Sequence, residues 1–284
     1  MAIRAAVFLL VIAIVQLSRG QQQVSPNGGR KPQTGNKNPP IDEPKNTCQE
    51  YYKSFSGTAP VFLPRDCDQV RDLGGGRDGV YMIFPDGAGN DCTPTPVYCD
   101  QTADGGGWTV LQRRKFGKED FHRTWDEYKN GFGYLHGEHW LGNDMIHRIT
   151  MQGNYELMIT LEDFHYTLEK ASYFPFGISD EATNYTLGLG PFESGSVGDS
   201  FSGHNGSPFS TWDRDNDLWA RNCAEAYGGG WWFRSCHKCN LNGKYFLATG
   251  APFGEGIIWS TWKGLEYSLY STVMKIKRRA PQIP

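Results

Sequence analysis

The sequence has few features that would indicate a membrane-spanning protein, a nucleic-acid binder or an enzyme. Its one long apolar run, residues 5–15, is too short to span a bilayer. The 28 Lys and Arg residues are outnumbered by 31 Asp and Glu residues, and a net charge of −3 argues against nucleic-acid binding. No G-x-S-x-G or H-E-x-x-H motif occurs, and nothing nominates a nucleophile with its base. We therefore expect a protein without a membrane span that is not an enzyme.

The N-terminal part of the chain has little that could form a folded core. Residues 1–20 combine an early arginine, a short apolar run and a polar end, which is typical of a secretory signal peptide. Residues 21–47 are rich in Pro, Gly and Gln and cannot bury enough surface to offset their ordering entropy. They show neither a Gly-X-Y period nor heptads. We predict a secreted, extracellular protein with a disordered linker before a folded domain at 48–284.

All seven cysteines lie beyond the predicted signal peptide. Export makes disulfide formation the default for them. Because seven is an odd number, at least one thiol must stay free or pair with another chain. Cysteine counting alone leaves these two alternatives open.

Segments typical of strands, rich in β-branched and aromatic residues, accompany one clear helical pattern. The helix is predicted at 124–132, where Trp125, Tyr128 and Phe132 recur at helical spacing. Strands are predicted at 79–84, 96–100, 107–114, 155–163 and 272–278. Residues 185–256 are rich in Gly, Ser and Asn without periodicity, and such long irregular segments are often functional. The pattern indicates an α+β fold with a loop-dominated C-terminal third.

Three aspartates crowd into one loop of this irregular region, at Asp213, Asp215 and Asp217. The D-R-D-N-D pattern resembles the start of an EF-hand loop, but Leu218 stands where that loop needs glycine and Ala224 where it needs glutamate. Calcium can also be held by fewer carboxylates together with backbone carbonyls. Carboxylates this close repel one another unless a cation or solvent separates them. Composition alone leaves a calcium site and an exposed acidic turn as equal alternatives.

A longer series of motifs runs along the chain in order: VYCD, DGGGWTVLQRR, FHRTWDEYKNGFG, EHWLGND, HNGSPFSTWDRDND, NCAEAYGGGWWFRSCH, NLNGKY and GIIWSTWKG. The series resembles the fibrinogen-related domain, the module shared by fibrinogen chains, ficolins and tachylectins. The resemblance covers about residues 48–278. It implies a small N-terminal disulfide-linked subdomain, a central mostly antiparallel sheet with helices, and a loop-rich C-terminal subdomain that binds calcium and ligand.

The resemblance implies that the aspartate loop is a calcium site, with Ca²⁺ as the cofactor. Carried over by position, the ligands are the carboxylates of Asp215 and Asp217 and the carbonyl oxygens of Trp219 and Arg221. Asp213 is then either structural or placed behind these ligands. This implication favours calcium over the exposed acidic turn.

The same resemblance implies a ligand pocket beside a disulfide-closed loop. The Ser235–Cys236 peptide is expected to be cis, with the amide hydrogens of Cys236 and His237 turned toward the pocket. Two convergent donors suit an acetyl carbonyl, and aromatic walls suit its methyl group and the sugar face. The expected lining residues are Tyr227, His237, Phe253 and Leu265. Leu265 stands where lectin-type relatives often have tyrosine, so an aromatic wall and a hydroxyl are lost there.

The cysteine pairing is also implied by the resemblance. The expected disulfides join Cys48 to Cys92, Cys67 to Cys99 and Cys223 to Cys236. Cys239 is left over, and it is either a buried free thiol or the site of an interchain bond.

Two glycosylation sequons occur, NYT at Asn184 and NGS at Asn205. We expect Asn184 to be glycosylated. We expect Asn205 to be unmodified, because the HNG stretch belongs to one of the motifs of the resemblance and should be folded.

These expectations combine into a secreted, calcium-dependent lectin that binds N-acetylated sugars such as N-acetylglucosamine on microbial or cell surfaces. Such a lectin would serve innate-immune recognition and agglutination of microbes. The alternative is an extracellular protein- or peptide-binding module without sugar specificity, because fibrinogen chains use the equivalent pocket for a peptide. Any homo-oligomer would assemble through domain faces or through Cys239, since the linker can form neither a collagen stalk nor a coiled coil.

Overall fold

The computed structural model of the protein describes residues 62–85 and 93–279. The predicted signal peptide, the predicted linker and the expected Cys48–Cys92 disulfide lie outside these residues. Within them, strands and short helices surround a continuous hydrophobic core. The predicted α+β class is confirmed.

The strands are β1 (Gly79–Ile83), β2 (Thr95–Asp100), β3 (Trp108–Arg114), β4 (Phe132–Gly133), β5 (His139–Trp140), β6 (Tyr155–Glu162), β7 (Leu168–Ile178), β8 (Leu187–Leu189), β9 (Phe192–Gly195), β10 (Cys239–Asn240), β11 (Ile258–Trp259) and β12 (Ser271–Arg278). Among the described residues, ten of them form one sheet whose main path is β1-β2-β3-β12-β6-β7-β8. Its pairings are antiparallel. The last strand, β12, lies between β3 and β6 and completes the centre of the sheet.

Burial along the strands explains their positions in the sheet. β6 alternates buried and partly buried residues, as a strand does when only one of its faces packs on a core. β3 is buried at six of its seven positions, so both of its faces are covered. The buried side chains of the two central strands β6 and β12 include Leu157, Ile159, Leu161, Met274 and Ile276.

The α-helices of the described residues are short: α1 (Cys67–Asp72), α2 (Trp125–Asn130), α3 (Asn143–Thr150), α4 (Cys223–Tyr227) and α5 (Ser260–Lys263). α2 begins at a capping box formed by Thr124 and Glu127. It ends at Gly131, whose φ is +87° and where a Cβ atom would lie 2.6 Å from the carbonyl oxygen of Leu141. The prediction of a helix through Phe132 is therefore wrong at its end, because Phe132 begins β4.

Between β9 and β12 the backbone is mostly irregular, as predicted, and buried aromatic rings support it. Phe201, Phe209, Trp231 and Trp232 are each 0% exposed. Their ring centroids lie between 5.2 and 5.9 Å apart. Ser210 and Trp231 exchange two backbone hydrogen bonds of 2.9 and 3.1 Å. The rings supply the apolar burial that strands and helices supply elsewhere in the domain.

One carboxylate holds the loop that follows β3. Glu138 accepts hydrogen bonds of 2.7 to 3.2 Å from the backbone amides of Lys115, Gly117, Lys118 and Glu119. It also lies 3.9 Å from the guanidinium of buried Arg114. Burial acts to raise the pKa of Glu138, but the amides outweigh it and the pKa lies below its usual value.

We expect Glu138→Ala to lower the free energy of unfolding by about 3–5 kcal/mol, because the buried Arg114 charge loses its carboxylate and four backbone amides lose their acceptor. Urea denaturation followed by tryptophan fluorescence measures the change. Glu193→Ala, which removes an ion pair with Arg279 at 2.7 Å on the surface, is the matched control. The control substitution should lower the free energy of unfolding by less than about 1 kcal/mol. A Glu138→Ala protein as stable as the control would contradict the role of the carboxylate.

Candidate functional site

Asp213 supports a helix instead of facing the other two aspartates of its loop. Its Oδ1 atom accepts hydrogen bonds from the amide of Trp125 at 2.9 Å and from the hydroxyl of Thr211 at 2.7 Å. Trp125 is the first residue of α2, where a negative charge is favourable. These hydrogen bonds are structural contacts, which correspond to one of the two roles expected for Asp213.

Asp215 and Asp217 shape the turn that follows. The amide of Asp217 donates to Oδ1 of Asp215 at 3.1 Å. Oδ1 of Asp217 accepts from the amide of Trp219 at 2.7 Å, and Oδ2 accepts from the amide of Cys223 at 2.8 Å. Burial raises the pKa of Asp217, and the charge of Asp215 raises it further. The turn therefore holds two carboxylates that repel each other.

The oxygen atoms of this turn suit a hard cation such as calcium. No basic side chain of the described residues forms an ion pair with Asp215 or Asp217. The carbonyl oxygens of Trp219 and Arg221 accept no hydrogen bond from the described part of the chain. No group of three or more His, Cys, Asp or Glu residues at 62–85 and 93–279 could hold a metal. A cation at this turn would therefore need the carbonyls or water as further ligands.

The acidic turn is tied directly to the loop that carries Cys236. The amide of Leu218 donates to the carbonyl of Arg234 at 2.7 Å, and the amide of Arg234 donates to the carbonyl of Cys236 at 2.8 Å. The disulfide from Cys223 to Cys236 makes a second, covalent connection. The turn and the loop are thus connected both by hydrogen bonds and by a disulfide.

Two of the implied disulfides are present, joining Cys67 to Cys99 and Cys223 to Cys236. The Ser235–Cys236 peptide is cis, as the resemblance implies. The first disulfide links α1 to β2, and the second links α4 to the loop before β10.

The predicted pocket residues lie close together beside the loop that carries Cys236. The ring centroids of Tyr227 and His237 lie 4.9 Å apart at a right-angled contact of 87°. Gly254 packs against both, because a Cβ atom there would lie 2.7 Å from Cε1 of Tyr227 and 3.4 Å from Nε2 of His237. The amide of Gly254 donates to the carbonyl of Leu265 at 2.7 Å, which places Leu265 beside the same residues. Phe253, 61% exposed, lies at the rim.

The loop presents polar atoms that have no partner in the described residues. The amides of Cys236 and His237 donate to no acceptor there. Nδ1 of His237 is buried and likewise has no partner in that part of the chain. Buried polar groups without a partner are rare in folded proteins, and water or a ligand commonly satisfies them. The two amides are therefore hydrogen-bond donors that no protein acceptor in the described residues uses.

His204 supports the loop that carries Cys236 and His237 through hydrogen bonds. It is not among the residues that the sequence predicted for the site. The amide of Lys238 donates to Nε2 of His204 at 3.2 Å, and Nδ1 of His204 lies 2.8 Å from the carbonyl of Trp232. The proton is therefore on Nδ1, because Nε2 accepts. Burial lowers the pKa of His204 to about 4 and that of His237 to about 3. The only sequence signal for His204 is its place in the HNG motif.

The pocket is therefore aromatic and uncharged at neutral pH. His237 is neutral, and the other lining side chains are those of Tyr227, Phe253 and Leu265. A cationic ligand would find no carboxylate among these four residues. A neutral group with a carbonyl oxygen and a methyl group matches the unpaired amides and the aromatic rings.

The family is decided by comparison with known proteins. The family model described as fibrinogen beta and gamma chains, C-terminal globular domain, matches residues 63–279. This chain belongs to that family. Human microfibril-associated glycoprotein 4 is 47% identical over 220 residues, which cover 76% of this chain and 85% of that protein.

Solved structures share the fold of this fibrinogen C-terminal domain. The fibrinogen-like globe domain of human ANGPTL6 matches with a TM-score of 0.73 at 38% identity. The match covers 79% of this chain and 100% of the ANGPTL6 chain. Lamprey fibrin D-dimer, complexed with the peptide ligand Gly-His-Arg-Pro-amide, matches with a TM-score of 0.72 at 34% identity. That match covers 84% of this chain and 83% of the lamprey chain.

Cys239 is the free cysteine of the described part of this fibrinogen C-terminal domain. It is 0% exposed in β10, and burial raises the pKa of its thiol well above the usual value. A thiol in this position is not accessible to another chain. The structure thus favours the buried free thiol over the interchain bond.

The two sequons differ in their surroundings. Oδ1 of Asn184 accepts from the guanidinium of Arg214 at 2.7 Å, and the residue is half-buried. Oδ1 of Asn205 accepts from the amide of Leu189 at 2.9 Å, and the residue is exposed. Exposure therefore favours Asn205, so glycosylation at Asn184 rather than Asn205 stays a prediction that the structure does not strengthen.

We expect acid to destabilise the site through His204 and His237. The folded protein keeps both neutral, whereas the unfolded chain binds protons below about pH 6.5. Their contribution to stability is therefore complete above about pH 6.5 and is lost as the pH falls toward about 4. Urea midpoints measured across this range should fall less steeply for His204→Gln, which keeps one donor and one acceptor, than for the unmodified protein. Identical pH slopes would show that His204 does not titrate as described.

We also expect Cys239 to resist thiol reagents in the native protein, because its side chain is fully buried. A colorimetric thiol assay should detect one thiol fewer in denatured Cys239→Ser than in the denatured unmodified chain, and no difference between the native proteins. Both proteins should also migrate alike on a non-reducing gel. Native labelling that disappears in Cys239→Ser would contradict this assignment.

Proposed function

We propose that this chain is a secreted, calcium-dependent lectin that binds N-acetylated sugars through the pocket of Tyr227 and His237. The observation that carries the proposal is the pair of unpaired amides at Cys236 and His237 beside a neutral aromatic wall. The two amides would donate to the acetyl carbonyl, and the rings would contact the methyl group and the sugar face. The chain would act as a binding protein and not as an enzyme.

Calcium would bind at the turn through the carboxylates of Asp215 and Asp217 and the carbonyl oxygens of Trp219 and Arg221. The repulsion between the two carboxylates and the free state of the two carbonyls support this assignment. When bound, the cation would supply positive charge that offsets this repulsion. The cation would act on the pocket without contacting the sugar, through Leu218, Arg234, the Cys223–Cys236 disulfide and the Trp219 ring, whose centroid lies 6.4 Å from that of Tyr227.

The proposed setting is extracellular, with acetylated glycans on microbial surfaces as the target. The apolar N-terminal run and the disulfides support export. None of the helices at 62–85 and 93–279 is long and apolar enough to cross a membrane. Recognition of microbes, and their agglutination if the chain assembles into multimers, would place the protein in innate immunity.

A second candidate is a peptide-binding module, because the similar lamprey fibrin D-dimer was solved with Gly-His-Arg-Pro-amide. That peptide carries a basic side chain and a free amino group. The four residues proposed to line the pocket here include no carboxylate to receive either charge. At these four residues, the neutral pocket therefore supports an acetyl group over a charged group.

Isothermal titration with N-acetylglucosamine, glucosamine and Gly-His-Arg-Pro-amide tests the proposal. We expect heat of binding with N-acetylglucosamine alone, since only it carries the acetyl group. His237→Ala should weaken this binding at least about tenfold, because the ring that forms one pocket wall is removed. Binding of the peptide in preference to the acetylated sugar would favour the second candidate.

We expect chelation of calcium, and equally Asp217→Asn, to weaken sugar binding by at least about tenfold. The physical reason is that a loosened turn leaves the Cys236 loop only partly in its binding conformation, so the ligand must order it. Titration with and without chelator measures the loss. Asp126→Asn, which removes an exposed carboxylate from the first turn of α2, should bind sugar normally and lose affinity on chelation as the unmodified protein does. Affinity that chelation leaves unchanged would refute the calcium dependence.

A further inference from the structure

A cavity of about 530 Å³ lies directly beside the proposed acetyl pocket. It is bounded by the loop after β3, by α4 and by the loop after β10. Six of its lining residues are Lys118, His122, Glu225, Tyr227, Lys244 and Glu255. Its volume falls within the range of roughly 300–1,000 Å³ that is typical of small-ligand sites.

The cavity and the acetyl pocket share a wall. Tyr227 lines the cavity, and its ring also contacts His237 at 4.9 Å. Glu255 lines the cavity, and the preceding residue, Gly254, packs against Tyr227. A molecule longer than one sugar unit, held at Tyr227 and His237, would therefore extend into this cavity.

The charges of the cavity are mixed and nearly balanced. Lys118 and Lys244 are exposed lining residues with positive charge, and Asp120, Glu225 and Glu255 provide carboxylates. Two further charged residues are matched within the protein, since Glu119 pairs with Arg123 at 2.8 Å and Arg114 lies near Glu138. This balance favours neither a phosphorylated nor a cationic ligand. Long polar side chains of both signs suit the hydroxyl groups of a neutral sugar, which both donate and accept.

Aromatic surfaces complete the lining. The exposed His122 ring lines the cavity and stacks on Trp212, a residue outside the lining, with centroids 6.0 Å apart and 26° between the planes. Trp212 is 43% exposed. The Tyr245 hydroxyl lies 2.7 and 2.8 Å from the carbonyl oxygens of Lys115 and Tyr270, so the position of its ring is fixed. Flat apolar rings next to polar groups suit the faces of sugar rings.

The walls of the cavity are preorganised. The Glu138 carboxylate fixes the loop after β3 through four backbone amides, including that of the lining residue Lys118. On the opposite side, Asn242 donates to the carbonyl of Gly230 at 2.8 Å and accepts from Gln112 at 3.1 Å. Because these loops are already held, a ligand would bind without the entropic cost of ordering them.

We propose that this cavity is an extension site for a neutral oligosaccharide, binding the sugar units that follow the acetylated unit held at Tyr227 and His237. The inference rests on the proposed lectin function and adds to it that the protein selects chains over single sugars. N-acetylglucosamine and its β-1,4-linked trisaccharide are the probes. Titration in solution with free ligand avoids the gain in apparent affinity that immobilised, multivalent ligand would give.

We expect the trisaccharide to bind at least about tenfold more tightly than the single sugar, which exceeds the statistical gain of about threefold from its three acetyl groups. Ala226 is an exposed residue of α4 that lines the cavity. The substitution Ala226→Trp should fill part of the cavity, reduce the preference for the trisaccharide to the statistical gain and leave binding of the single sugar unchanged. Ala103→Trp, exposed near the start of β3, is the matched control and should keep the full preference. Lys244→Ala, a smaller change at the same wall, should lower the preference several-fold without affecting the fold.

The outcomes separate the extension site from the proposed function. Equal binding of the single sugar and the trisaccharide, after correction for statistics, would refute the extension site and leave the lectin function intact. A preference that persists in both Ala226→Trp and Lys244→Ala would also refute it, because the extra units would then bind elsewhere. Absence of binding by either probe would refute both inferences. A tighter complex with a sulfated trisaccharide would contradict the assignment of a neutral ligand.

Discussion

The Asp217 carboxylate is the interaction on which the candidate site depends. One of its oxygen atoms accepts from the Trp219 amide and the other from the Cys223 amide, so a single side chain sets the turn and the start of α4. Cys223 in turn is bonded to Cys236, whose amide belongs to the proposed ligand pocket. The geometry of the donors is therefore fixed by residues that do not themselves contact the proposed ligand.

The site is built from irregular backbone. Its loops lack the regular hydrogen bonds of strands and helices, so other interactions must stabilise them. Buried tryptophan and phenylalanine rings behind the loops supply the apolar burial, and the disulfide restricts the unfolded chain. Nε2 of His204 accepts a hydrogen bond from the Lys238 amide, and it can do so only while the imidazole ring is neutral. Buried apolar rings and a neutral histidine thus both stabilise the loops of the site.

Electrostatics divides the site into two parts. The turn at Asp215 and Asp217 concentrates negative charge, whereas the pocket at Tyr227 and His237 is uncharged. The first part suits a cation and the second a neutral ligand. The adjacent cavity, with charges of both signs around Lys118 and Glu225, differs from both and suits hydroxyl groups.

The fold class, the helix start at Thr124, the central strands and the irregular C-terminal third could be predicted from the sequence, because capping residues and apolar periodicity are local signals. The pocket residues Tyr227 and His237 could be predicted only through the resemblance, since nothing in their local sequence brings them together. Tertiary structure alone decided the support from His204 and the burial of Cys239. These depend on contacts between residues far apart in the chain, such as the Lys238 amide with the His204 ring, and no local pattern encodes such contacts.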